Sequence, residues 1–241
     1  MKLAIMQPGY LAWLGFFELM AYVDRFVYFD DVQYTRKDWR SRNRVKTANG
    51  PVWLSVPVKK APRETLIKDI EINYEQTWLD KHLRTIEVAY RKAPYFEPLY
   101  GEIKSILESR PRLLKELDDS LIRLCMRHFS IECELTWSSE LKLPPAEKNR
   151  RIIDVCRAHG SSVLYDTQAS STFIDVALFA ENGIEVLFQD YQHPQYPQQW
   201  GEFVSHMAAI DLIFNTGPQA RKVLLSSPAP ERLLAANKDQ R

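Results

Sequence analysis

The 241-residue chain lacks most of the usual signatures of metal, disulfide or nucleotide chemistry. Its three cysteines, Cys125, Cys133 and Cys156, are an odd number, widely spaced and without a CxxC pair. That argues against a disulfide framework and a thiolate zinc site, and leaves them as small buried hydrophobes in a reducing compartment. The five histidines, His82, His128, His159, His193 and His206, show neither HxxxH nor HxH spacing, so no metal site is expected. No GxGxxG follows a strand and no GxxxxGK(S/T) occurs, which argues against a standard dinucleotide-binding or P-loop enzyme. Charge is balanced at +1, which argues against a nucleic-acid or anionic-membrane binder acting through its whole surface. Charge breaks every apolar run within about ten residues, and the N-terminus reads as a strand rather than a leader. A soluble cytoplasmic protein without membrane insertion is expected. Internal repeats and low-complexity tracts are absent.

What is present is a chain 45% apolar and 26% charged, long enough to bury a sizeable core in one large domain or two closely joined small ones. Residues 2–6 and 25–30 are β-rich, and residues 16–23 between them read as a short amphipathic helix, making a βαβ unit. Asp30-Asp31 ends the second strand beside the loop that ends the first. Residues 31–50 form a long polar stretch with no clean period, closed by an Asn49-Gly50 turn before a strand at 52–58. Helices are expected at 76–91, 97–109 and 112–129, marked by Pro94, Pro98 and Pro111. A second alternating run follows: strand 132–137, helix 146–159, strand 162–165, helix 171–182 stopped by Gly183, and strand 184–190. The fold class is therefore α/β, a doubly wound, mostly parallel, Rossmann-like sheet with a helical insertion. Its segments are an N-terminal half at 1–75, the insertion at 76–130, a C-terminal half at 131–225 and a flexible tail at 226–241.

Three stretches can carry chemistry. The loop from Gln7 through Tyr10 and Trp13 to Gly15 leaves a strand for a helix, where α/β proteins build ligand sites; the alternative is that both aromatics plug the core. Residues 36–46 hold six basic side chains and one acidic one, suited to a diphosphate or a nucleic-acid backbone, or else a solvated face. Residues 190–206 interleave aromatics with amides, a pattern that suits a sugar or nucleobase. Ser205 reads as an N-cap for a helix at 207–214, with His206 in its first turn, where the helix dipole favours a neutral base. His82, in the first helix of the insertion, is the other candidate base. Asp211 and Asn215, four apart on one helical face, can bond each other or a ligand.

These residues resemble the WbqC-like family along residues 2–225. The resemblance is carried by Gln7-Pro8-x-Tyr10-x-x-Trp13-x-Gly15-Phe16-Phe17, by Asp30-Asp31-Val32-Gln33 and by Arg42-Asn43 with Asn49-Gly50. Val56-Pro57-Val58, Lys81-His82, Gly201-x-Phe203, Ile210-Asp211-Leu212 and Phe214-Asn215-x-Gly217 complete it. The chain departs from the family pattern at Ala12, where proline is usual, and at Asp166-Thr167, where Ser-Gly is common. The resemblance implies transfer of glycine or a related acyl group onto a nucleotide-linked amino sugar, in bacterial polysaccharide or O-antigen biosynthesis. The partners would be a nucleotide sugar and an acyl or amino-acid donor, with His82, His206 and Asp211 catalytic. Substrate would be held by Gln7, Tyr10, Trp13, Asp30, Asp31, Gln33, Arg42, Asn43, Lys46, Lys81, Tyr196, Gln198 and Asn215, with Trp200 as a further sugar or base reader. One alternative is an adenylate-forming ligase or nucleotidyltransferase using ATP with magnesium, to which Gln7-Pro8-Gly9-Tyr10 brings only an outline likeness, because it lacks both histidines of HxGH. A nucleotidyltransferase would take its divalent metal on Asp30 and Asp31. The other is a module that binds RNA or protein.

Overall fold

The structure, a computed structural model, describes residues 1–230. Its centre is β1 (Lys2–Met6), whose run of apolar residues is buried on both faces, as a central parallel strand requires. β1 is flanked by β2 (Arg25–Tyr28) and β6 (Val163–Thr167), with β5 (Glu134–Trp137) and β7 (Glu185–Gln189) outside them. The order is β5-β2-β1-β6-β7 and every pair is parallel. The chain winds outward through β2 and β5, then returns to the far side of β1. The order therefore reverses between β1 and β6, the point where open α/β sheets leave a crevice at the strands' carboxyl ends.

Side-chain alternation along β1 gives the two faces different cores. Leu3 and Ile5, with Val27, pack under α5 (Lys148–Ala158) and α6 (Val176–Glu181). Ala4, with Phe26 and Tyr28, packs against α1 (Leu14–Ala21) and the helical segment α2 (Trp78–Tyr90), α3 (Phe96–Glu108) and α4 (Leu114–Phe129). α7 (Ala209–Thr216) and α8 (Ala220–Leu224) close the same face. Among the described residues no helix is long and apolar enough to cross a membrane.

Three local expectations are corrected. Residues 42–47 of the long polar stretch form β3 (Arg42–Thr47), paired antiparallel with β4 (Gly50–Ser55) in a hairpin. Its period was hidden because Asn43 and Lys46 are polar yet 2% exposed. The helix at 171–182 is broken: residues 168–172 make a 3₁₀ turn, and Asp175 starts α6 by accepting from the Leu178 N–H at 3.1 Å. α7 begins after His206 rather than around it. Its first N–H groups are satisfied by main chain, Ala208 N–H to the Arg44 carbonyl and Ala209 N–H to the Ala12 carbonyl, both 2.9 Å, so no Ser205 cap is needed. Of the expected tail, Ser227 is buried and its Oγ accepts from the Gln192 N–H at 2.9 Å; residues 231–241 lie outside the described residues.

Candidate functional site

A cavity of about 510 Å³ opens at the reversal between β1 and β6. One wall is the loop leaving β1, with Gln7, Gly9 and Trp13, continued by Phe16 in the first turn of α1; the facing edge is Thr167 at the end of β6 and Ala169 just beyond it. Trp39, Arg40, Asn43 and Arg44 cover it from the hairpin side, and His206 from the segment before α7. The volume lies in the range of small-molecule sites, and the lining combines flat aromatic faces with a few cationic and amide groups.

Each wall residue is held by a neighbour. The Trp13 ring packs against Gly15, where an added Cβ would come within 2.2 Å of it, so glycine is required by close approach. Trp13 also stacks on the His206 ring, with centroids 5.8 Å apart and planes at 17°, and meets Tyr191 edge-on. Gln7 Oε1 accepts from Arg40 Nε, and Arg40 pairs again with Asp38. Burial pulls the Arg40 pKa down from its ordinary value. Asn43 donates from Nδ2 to the Leu11 carbonyl at 2.7 Å, pinning a residue whose φ is +48°. Arg44 donates to the His206 carbonyl at 3.4 Å, while its Nε has no hydrogen-bond partner among the described residues. His206 sits at φ +60°, with Nδ1 2.8 Å from Ser205 Oγ and the ring exposed at the cavity rim.

Of the residues singled out in the sequence, Gln7, Trp13, Asn43 and His206 therefore meet at one cavity. The others lie elsewhere. Tyr10 and His82 are buried beside it in the core, Tyr10 Oη 2.9 Å from His82 Nδ1, and burial pushes the His82 pKa down to about 4. Asp30 accepts from Ser139 N–H and Oγ, Ser138 Oγ and Lys115 Nζ, and Asp31 from Ser138 Oγ and Arg151. Their oxygens fasten the end of β2 to the turn after β5 and to α4 and α5, and are taken up by protein donors rather than left for a metal. Among the described residues no cluster of three or more His, Cys, Asp or Glu is placed to hold a metal ion.

Asp211 is likewise enclosed, its Oδ1 accepting from Tyr90 Oη at 2.8 Å and its Oδ2 from Tyr196 Oη at 2.9 Å and Gln198 Nε2 at 2.8 Å. Asn215 donates to the Asp211 carbonyl at 2.7 Å. Lys46 reaches the carbonyls of Gly201 and Glu202, and Trp200 Nε1 donates to the Ala89 carbonyl at 2.7 Å. These polar residues clasp the 190–206 segment to α2, β3 and α7. Lys81 is exposed on α2, and Gln33 donates to the Arg63 carbonyl at 2.7 Å away from the cavity. Arg42 lies over the Trp53 ring at 4.3 Å and lines a neighbouring hollow. Trp39, Arg40, Arg44, Thr167 and Ala169 are the lining residues that single-residue reading missed. Arg40 and Arg44 carried a signal in the basic run and Thr167 in the departure at Asp166-Thr167, whereas Ala169 gains its place only from strand order.

Comparison with known proteins places the chain. Residues 7–223 match the model of a family described as WbqC-like protein family. The chain is 33% identical over 227 residues, 91% of its length, to "Uncharacterized protein Rv1507c" of Mycobacterium tuberculosis (strain ATCC 25618 / H37Rv), covering 95% of that protein. No solved structure matches it.

Proposed function

We propose, since the chain belongs to the WbqC-like protein family, that it is a transferase forming an amide on a nucleotide-linked amino sugar, by glycyl, aminoacyl or other acyl transfer, in bacterial polysaccharide or O-antigen biosynthesis. The observation that carries this reading is the cavity at the β1/β6 reversal, where aromatic faces and unsaturated cationic donors converge. Trp13 and Trp39 offer flat surfaces for a sugar ring or a base, and Arg44 and Asn43 offer donors to phosphate or hydroxyl oxygens.

Amide formation requires a neutral amine on the sugar and an activated acyl carbon. Among the described residues His206 is the one histidine or carboxylate on the cavity lining, and its Nε2 has no described partner. In this reading the amine nitrogen attacks the acyl carbon, a C–N bond forms, and the amine proton passes to His206 Nε2. The bond from the acyl carbon to its carrier then breaks and the carrier leaves with the electron pair. Arg44 stands beside this position as a donor to the developing oxyanion. His82 serves the same reading as a packing residue, because burial keeps it neutral and Tyr10 occupies its Nδ1.

The test is to incubate the protein with UDP-, dTDP- and GDP-linked amino sugars and activated glycine donors, and to read amide product by mass spectrometry. His206→Gln is expected to lower turnover by about 100- to 10,000-fold while nucleotide-sugar binding persists. Full turnover in that variant removes the base from the mechanism, and no product with any pair removes the transferase reading.

A further inference from the structure

The basic run does not face one way. Arg40 and Arg44 border the cavity at the β1/β6 reversal, whereas Arg36, Lys37 and Arg42 border a second cavity of about 440 Å³. Lys59 and Lys60, from the segment after β4, join them there, and among the described residues no carboxylate lines it. Ser41, Ser55 and Asn73 add neutral hydrogen-bonding groups. An adjoining hollow shares Arg36 and Lys59 and adds Arg63.

Little inside the protein compensates this charge. Lys59 pairs with Glu71 at 2.8 Å, and Arg36 donates to the Ala61 carbonyl at 3.0 Å. Among the described residues Arg42 Nε has no hydrogen-bond partner, and none is described for the side chains of Lys37 and Lys60. In a chain whose net charge is only +1, five cations around one concavity raise its local potential and concentrate anions there. A single carboxylate or monovalent anion would leave most of that charge unmatched. Arginine forks and lysine point charges together match a chain of phosphate oxygens. The concave shape and the acidic residues elsewhere favour a small molecule over an extended polynucleotide, which needs a continuous basic stripe.

We propose that this second cavity binds the phosphate groups of a small molecule carrying a pyrophosphate or longer phosphate chain. The proposal goes beyond the amide-forming reading and does not depend on it. Arg42, from the second cavity, lies over the Trp53 ring at 4.3 Å, and Arg44, from the first, lies 5.5 Å from the same ring.

Calorimetric titration of the full chain with sodium pyrophosphate tests it. The wild type is expected to bind, the Lys37→Glu/Lys60→Glu double variant to bind at least about tenfold more weakly, and the exposed control Lys92→Glu to bind like the wild type. Unchanged thermal midpoints show that the variants fold. No binding at millimolar pyrophosphate overturns the proposal, as does unchanged affinity in the double variant or an equal loss in the control. Binding of an RNA oligomer that is lost in the double variant, with no pyrophosphate binding, also overturns it and assigns the surface to nucleic acid.

Discussion

Glu18 shows how far burial governs single residues beside the site. Its carboxylate is fully buried on α1, where it accepts from Tyr165 Oη at 3.0 Å and from Gln189 Nε2. Burial outweighs both bonds and raises its pKa from 4.5 to about 7. A native pKa above the unfolded value means that the stabilisation is complete below about pH 4.5 and is lost as pH rises through about 7, a swing of about 3 kcal/mol. Glu18→Gln should remove this term. The variant's stability relative to wild type is expected to rise by about that amount between pH 4.5 and pH 8, measured by denaturant unfolding at each pH. A difference that stays flat with pH would contradict the assignment. Such residues are hard to read in sequence: Glu18 looks like the polar face of an amphipathic helix, and only the packing of β6 and β7 over α1 encloses it. Of the two aromatics between the first strand and its helix, for which a ligand site and a core plug were both open, Trp13 lines the cavity and Tyr10 is buried in the core.

Among the elements, α2, α7 and the 190–206 segment meet at one carboxylate, with Lys46 and Trp200 as further ties to the segment. Asp211 accepts from two tyrosines and a glutamine that come from α2 and the segment itself. Truncation leaves the buried Tyr90 and Tyr196 hydroxyls without their acceptor, while Gln198 Nε2 keeps the Val204 carbonyl at 3.0 Å, and each lost acceptor costs about 1–3 kcal/mol before relaxation. Asp211→Ala is expected to lose about 3 kcal/mol of stability and to loosen the segment that carries His206, read as faster amide exchange across residues 190–206. Unchanged stability and protection would contradict the clasp. β3 illustrates why elements were only partly readable. Its strand alternation was masked by buried Asn43 and Lys46, whose partners, the Leu11 carbonyl and the carbonyls of residues 201–202, lie more than thirty residues away in sequence. The apolar strands β1 and β2 carried their own signal, since parallel strands buried on both faces read as apolar runs. Asp30 and Asp31 pointed to the right end of the sheet and to the wrong strand gap, because Ser138 and Ser139, which receive them, become neighbours only when β5 pairs with β2.

For the whole molecule, the central claim is that the reversal between β1 and β6 makes the ligand site. The alternation of strands and helices made the doubly wound class legible, but strand order was not, and that order alone brings Thr167 and Ala169 opposite Gln7 and Trp13. The measurement that bears on the claim most directly is a thermal-shift titration of the full chain with a UDP-linked amino sugar, comparing wild type with Ala169→Trp and Arg44→Ala. Ala169 is exposed at the mouth, so tryptophan there fills the cavity without disturbing the core. Ligand at about a hundred times its dissociation constant stabilises the folded state by about 2.7 kcal/mol, well within detection. The account predicts a clear shift in wild type that is lost in Ala169→Trp and weakened in Arg44→Ala. An equal shift in all three proteins, or none in wild type, would contradict it.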